Sequence, residues 1–286
     1  MGAEQSVPGP FWQGESISED WSNWMSGIPD STSLTEISIP GTHQSMSLFG
    51  GTLLICQTMS LLSQFMAGIR FVDIRCRHFR NSFAIHHSSV YQQANFDDVL
   101  NTTIDFLKKH PSETILMSIK PEHYPEECTE NFTRTFEKYV SRYGLDLFWL
   151  NSTHYPTIGE VRGKVVIINR FAGGDDYGIP WDSFSIKDDW WVNTVLPNEI
   201  NKKLDGIISH LDEARNSSLS NWFITFSSGV SGGAYPDAVA KQINVQVERY
   251  AEKFRKSHDR LGIVALDFPG STIIRAIFMT NRGARD

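Results

Sequence analysis

The stretch Gly68-Ile69-Arg70-Phe71-Val72-Asp73-Ile74-Arg75 has a largely apolar centre and ends in charge. A mostly continuous apolar run of this length reads as a strand of a parallel sheet covered on both faces. Six other runs share its character, at 34–39, 83–87, 114–120, 164–170, 222–227 and 261–267. Amphipathic stretches lie between many of them. The clearest spans 95–110, where Phe96, Val99, Leu100, Thr103, Ile104 and Leu107 share one face. Asn95 is placed to cap it, Asp97 and Asp98 occupy its first turn, and Pro111 stops it after Lys108, Lys109 and His110. Stretches 198–216 and 236–258 carry similar stripes. Repeated strand–helix alternation builds βαβ units. Seven strands in 286 residues favour an α/β fold, a single distorted (β/α)8 TIM-type barrel over 21–286, rather than a doubly wound sheet. Residues 1–20, rich in Gly, Pro, Ser and acidic side chains, read as a flexible leader.

Nearly every run ends in a polar or charged residue. The run 34–39 is followed by Pro-Gly-Thr and then His43; the others end in Asp73 and Arg75, His87, Lys120, Arg170, Ser227 and Asp267. In a parallel barrel the C-terminal strand ends meet at one mouth, where active sites form. These residues are therefore expected in one cavity. His86 and His87 are adjacent, so on a strand only one of them faces it. Asp267 closes an apolar run, where a carboxylate is costly without a partner such as a histidine or arginine. Two histidines can divide general base and general acid work, and an arginine can hold a phosphate between them. The pattern suggests phosphodiester cleavage.

Bulk properties narrow the partners. Net charge is -7, which argues against nucleic acid as the main partner. Cys56, Cys76 and Cys128 form an odd set without Cys-x-x-Cys spacing, so a zinc site or disulfide framework is not expected and a reducing compartment fits. No Gly-x-Gly-x-x-Gly or Walker loop follows a strand, and no His-Glu-x-x-His is present. Met1-Gly2-Ala3-Glu4-Gln5-Ser6 matches the N-myristoylation pattern at Gly2. No apolar stretch is long enough to cross a bilayer. The expected location is cytoplasmic and peripherally membrane-associated, with secretion the alternative, for a monomer acting at a lipid surface.

These segments resemble the X-type catalytic domain of phosphatidylinositol-specific phospholipases C, and the bacterial single-domain enzymes in particular. The resemblance rests on 37–45 (ISIPGTHQS), 68–77 (GIRFVDIRCR), 85–87 (IHH), 111–120 (PSETILMSIK), 162–170 (RGKVVIINR) and the SGGAY string ending at Tyr235. It implies cleavage of phosphatidylinositol to diacylglycerol and inositol 1,2-cyclic phosphate. His43 would be the general base oriented by Asp267, and His87 the general acid. Arg75 would stabilise the phosphate with its geometry fixed by Asp73, and Lys120 and Arg170 would contact the headgroup. Arg75 stands where calcium-dependent relatives place a carboxylate, so no metal and no other cofactor is expected. The bacterial pattern has an aspartate after the first histidine, assisting the general acid; here it is Gln44, expected at the substrate site with weaker assistance. Trp190 or Trp191 would supply a stacking ring. Phe49, Leu53, Leu54 and Ile55 form an apolar loop at the mouth, with Tyr235 a candidate to join it. Two alternatives stand: a phosphodiesterase for another headgroup lipid, and a catalytically weak lipid-binding homologue.

Overall fold

The computed structural model describes residues 9–174 and 177–286, so the lipidation motif at Gly2 lies outside the described residues. In chain order the strands are β1 (Ile39–Thr42), β2 (Phe71–Phe79), β3 (Ser82–His87), β4 (Val90–Asn95), β5 (Ile115–Pro121), β6 (Phe148–Trp149), β7 (Val165–Asn169), β8 (Ile179–Pro180), β9 (Phe184–Lys187), β10 (Trp222–Phe226) and β11 (Ile263–Leu266). The helices are α1 (Leu61–Met66), α2 (Phe96–Lys109), α3 (Phe132–Tyr143), α4 (Ile158–Val161), α5 (Pro197–Asn216), α6 (Pro236–Glu252) and α7 (Ser271–Phe278). The parallel path runs β6-β7-β5-β2-β1-β11-β10-β9, with β8 on β7. Among the described residues no ladder joins β9 back to β6 or β8, so the sheet curls into a distorted barrel without closing. One core fills its interior and the α1–α3 side. A second packs α5, α6 and α7 on β10 and β11.

Local chemistry explains where elements begin. The Asn95 N–H donates to Asp98 Oδ2 at 2.8 Å, closing the start of α2. The run 34–39 differs from the strand expected: Ser33 accepts from Thr35 N–H, and residues Leu34–Glu36 form a 3₁₀ turn. The strand is instead Ile39-Pro40-Gly41-Thr42, a Pro-Gly pair that reads as a turn in sequence. Gly41 is required there, because a Cβ would stand 2.6 Å from the Phe71 ring. The run 83–87 is also a correction. It is a strand, but it pairs antiparallel with β2, and Arg80 and Asn81 (φ 52° and 56°) turn the chain back. The hairpin carries His87 back toward the mouth. The leader is not free from Pro10 onward: Trp12 N–H donates to Phe268 O at 3.0 Å, and Gly270 N–H donates to Pro10 O at 3.1 Å.

Candidate active site

Strand register assembles the site. Thr42 pairs with Leu266 and with Val72, so the next residues along, His43, Asp267 and Asp73, emerge side by side. Arg75 pairs with Lys120, and Ile119 with Asn169, which brings Lys120 next to Arg170. The chain then turns sharply: Gln44 and Phe268, the residues just after His43 and Asp267, both adopt left-handed φ (45° and 44°). Non-glycine residues seldom take that conformation, and such strain gathers at functional sites. The result is an open cavity of ≈ 320 Å³ whose wall includes His43, Arg75, His87, Lys120, Arg170 and Asp267.

The two histidines are held differently. His43 Nδ1 lies 2.9 Å from Asp267 Oδ1. A carboxylate only accepts, so Nδ1 carries the hydrogen and Nε2 keeps its lone pair. Burial pushes the Asp267 carboxyl up, against the pull of His43, Lys203 and Arg75. His87 Nδ1 lies 2.8 Å from Leu54 O and 2.8 Å from Ser47 Oγ, while Ser47 Oγ donates to Leu54 O at 2.6 Å. The carbonyl again fixes the hydrogen on Nδ1 and leaves Nε2 for the cavity. Burial, then the neighbouring His43 and Arg75, push His87 down to about 4, with Leu54 O and Glu122 opposing. The free ring is therefore neutral near pH 7. A phosphate anion in the cavity brings the opposite charge and raises it.

Asp73 is the anchor beneath the cations. Its Oδ2 accepts from Arg75 Nε (3.1 Å) and Nη2 (2.9 Å) and from Gln44 N–H (3.2 Å), and its Oδ1 from Arg170 Nη1 (3.3 Å). Burial works against that charge, but Arg75, Arg170 and His43 outweigh it and hold the carboxyl well below the usual range. Burial also opposes the charge on Arg75, yet Asp73 and Glu122 leave its pKa raised. Arg170 is lowered by burial, and its Cζ sits over the Trp181 ring, 3.6 Å from the centroid. Lys120 donates to Glu122 Oε2 at 3.3 Å. Among the described residues Arg75 Nη1 reaches only Glu122, at 3.9 Å, so it is the guanidinium nitrogen left for a ligand.

The expected residues therefore converge, with one difference. Gln44 is 3% exposed, is not part of the cavity wall, and its Nε2 has no hydrogen-bond partner among the described residues. The support for His87 comes from Ser47 and the Leu54 carbonyl instead. Of the adjacent pair, His87 lines the cavity, while His86 is buried and stacks on His123. Sequence reading missed Asp188, Cys56 and Glu122. Asp188 and Trp190 follow β9, whose Ser185 and Lys187 break the apolar pattern and hide the strand. Lys203 went unmarked because it lies on helix α5; burial lowers it to about 8, opposed by Asp267, Asp188 and Asp189. At the mouth Phe49, Leu53, Trp190, Trp191 and Tyr235 are exposed, whereas Leu54 and Ile55 are half-buried.

Comparison with known proteins agrees with this geometry. The family model described as phosphatidylinositol-specific phospholipase C, X domain, matches residues 31–171. A 1-phosphatidylinositol phosphodiesterase of Listeria monocytogenes is 31% identical over 283 residues, covering 91% of this chain and 84% of that protein. A protein of the same name from Staphylococcus aureus is 30% identical over 290 residues, covering 90% of this chain and 91% of that one. The solved phosphatidylinositol-specific phospholipase C of Listeria monocytogenes superposes with a TM-score of 0.79 at 30% identity, covering 92% of this chain and 99% of that one. The chain belongs to the phosphatidylinositol-specific phospholipase C family.

Proposed function

We propose that this protein cleaves phosphatidylinositol-type lipids to diacylglycerol and inositol 1,2-cyclic phosphate, by histidine acid–base catalysis without a metal. The observation that carries this reading is one cavity holding two histidines with fixed tautomers and the unsatisfied Nη1 of Arg75. His43 Nε2 takes the proton of the inositol 2-hydroxyl as its oxygen attacks phosphorus. Asp267 stabilises the imidazolium that forms. The bond from phosphorus to the glycerol oxygen breaks, and His87, taken up as the imidazolium once the substrate phosphate has raised its pKa, gives that oxygen the proton on Nε2. Arg75 meets the charge that develops on the phosphate oxygens, and Asp73 positions it and Arg170. Lys120, Arg170 and Asp188 supply donors and an acceptor for the ring hydroxyls, and Trp190 an aromatic face. Ser47 and Leu54 O take over the support of His87 that Gln44 does not provide.

The lipid must reach this cavity from a surface. Phe49 (40% exposed), Leu53 (45%), Trp190 (53%) and Trp191 (59%) support peripheral docking of the mouth on a membrane, because aromatic and aliphatic side chains enter the headgroup boundary. Among the described residues no helix is long and apolar enough to cross a membrane. The test is phosphorus NMR of phosphatidylinositol vesicles treated with the protein in EDTA. Cyclic inositol phosphate should appear, and His43→Ala and His87→Ala should each remove most of it. No cyclic product, with products from another headgroup lipid instead, favours the alternative phosphodiesterase. Headgroup-dependent vesicle binding with turnover equal to that of His43→Ala favours a lipid-binding homologue.

A further inference from the structure

One wall residue has no part in the acid–base scheme. Cys56 lines the cavity beside His43 and Asp267. One donor atom of each lies within 4.8 Å of the others, the one such cluster among the described residues. We propose that His43, Cys56 and Asp267 form an inhibitory site for a soft divalent cation such as Zn²⁺. Thiolate, imidazole and carboxylate are the three donor types that zinc takes, and its bonds of about 2.0–2.3 Å need only a modest closing of this triangle. Three protein donors leave a fourth position, as in open zinc sites, and here it faces the cavity.

The backbone around these donors is already fixed. Cys56 N–H donates to Ser47 O at 3.0 Å, and Phe268 N–H donates to Cys56 O at 3.0 Å. The Gln57 amide bridges the last carbonyls of both catalytic strand ends, reaching His43 O at 2.8 Å and Leu266 O at 2.9 Å. Thus residues 56–57 are tied to β1 and β11 together. The thiol itself has weak partners, Leu54 O at 3.6 Å and the Ser47 side chain. Binding breaks the S–H bond, releases that proton to water and forms a sulfur–metal bond; no electron is transferred. His43 offers Nδ1 to the metal, its hydrogen moving to Nε2, and the Asp267 carboxylate joins it; Nε2 then bears a hydrogen in place of its lone pair, so the general base is lost. Thiolate and imidazole favour zinc over calcium or magnesium, which prefer oxygen donors. The inference concerns poisoning of the base, and it holds whichever headgroup the protein cleaves.

The test pairs inhibition with a direct optical readout on the intact chain. Each protein is compared with its own activity in chelator. Micromolar Zn²⁺ should inhibit the parent protein reversibly on adding EDTA, and millimolar Ca²⁺ should not. Cys56→Ser should raise the half-inhibiting zinc concentration by at least about tenfold, because a hydroxyl is a poor replacement for thiolate. Cys128→Ser, which alters the partly exposed thiol, should leave it unchanged. With Co²⁺ as probe, the parent and Cys128→Ser should show thiolate-to-metal absorption that Cys56→Ser lacks. That optical arm stands even if the lipid substrate is another one. Equal zinc sensitivity of Cys56→Ser and parent, or cobalt absorption that follows Cys128, would overturn the proposal.

Discussion

Arg70, just before β2, and Arg75, within it, lie five residues apart, and each faces a buried carboxylate. Arg70 is saturated. Its Nε and Nη2 donate to Glu113, Nη1 to Phe65 O and Ile69 O, and Nη2 also to Trp21 O and Ser22 O. The side chains of both partners are fully buried. Arg75 spends Nε and Nη2 on Asp73 and leaves Nη1 turned to a carboxylate only at 3.9 Å. The same ion-pair chemistry thus closes the floor of the barrel and arms its mouth. What separates the two is whether any N–H remains unspent, not the charge.

The largest way to break this comparison is at the floor. Arg70→Met strands Glu113 as an unpaired buried carboxylate, and urea unfolding should show a loss of about 3–5 kcal/mol. Adding Glu113→Leu should restore most of it; a single variant as stable as the parent would mean that Arg70 is not structural. Arg75→Lys should do the reverse. Turnover of phosphatidylinositol should fall roughly 10²–10³-fold, as on losing one transition-state donor, with the unfolding midpoint close to that of the parent. A large fall in stability with preserved turnover would erase the contrast.

His87 sharpens the comparison through pH. In the free protein its ring should titrate by proton NMR at about 4. An inositol phosphate bound beside Arg75 should move it up, each unit being about 1.4 kcal/mol of coupling. The sign follows: the anion binds more tightly as pH falls toward the free-protein value, and binding that ignores pH would contradict its place next to the ring. The lowered value also works on stability. The neutral ring's contribution is present in full above the ordinary histidine value of about 6.5 and is lost as pH falls through about 4. The smallest effect is expected from Ser47→Ala. It removes one of two partners of His87 Nδ1 and leaves Leu54 O, so kcat should fall only about fivefold, roughly 1 kcal/mol.

Much of this was legible in the residues themselves. His43, Lys120, Arg170 and Asp267 are found at or just past strand ends, and Arg75 pairs with Lys120 near the end of the parallel β2–β5 ladder; parallel register alone brings such residues to one rim. The antiparallel return of β3 was not legible, because Arg80 and Asn81 lack the glycine that usually marks a tight hairpin. β9 escaped because it alternates polar and apolar residues, and Asp188 went unplaced with it. The support of His87 was hidden for another reason. It joins a loop hydroxyl and a loop carbonyl to a hairpin 33 to 40 residues away in the chain, a contact made by tertiary packing and by no local pattern.

The atom that sets the His87 tautomer is a main-chain oxygen of Leu54, in the loop that also exposes Phe49 and Leu53. A carbonyl is the same whatever side chain its residue bears. Substitutions at 49, 53 and 54 can therefore retune how greasy the mouth is while proton delivery stays intact, provided the loop keeps its course. Affinity for a surface and chemistry at phosphorus are separately heritable here, though a single stretch of chain carries both.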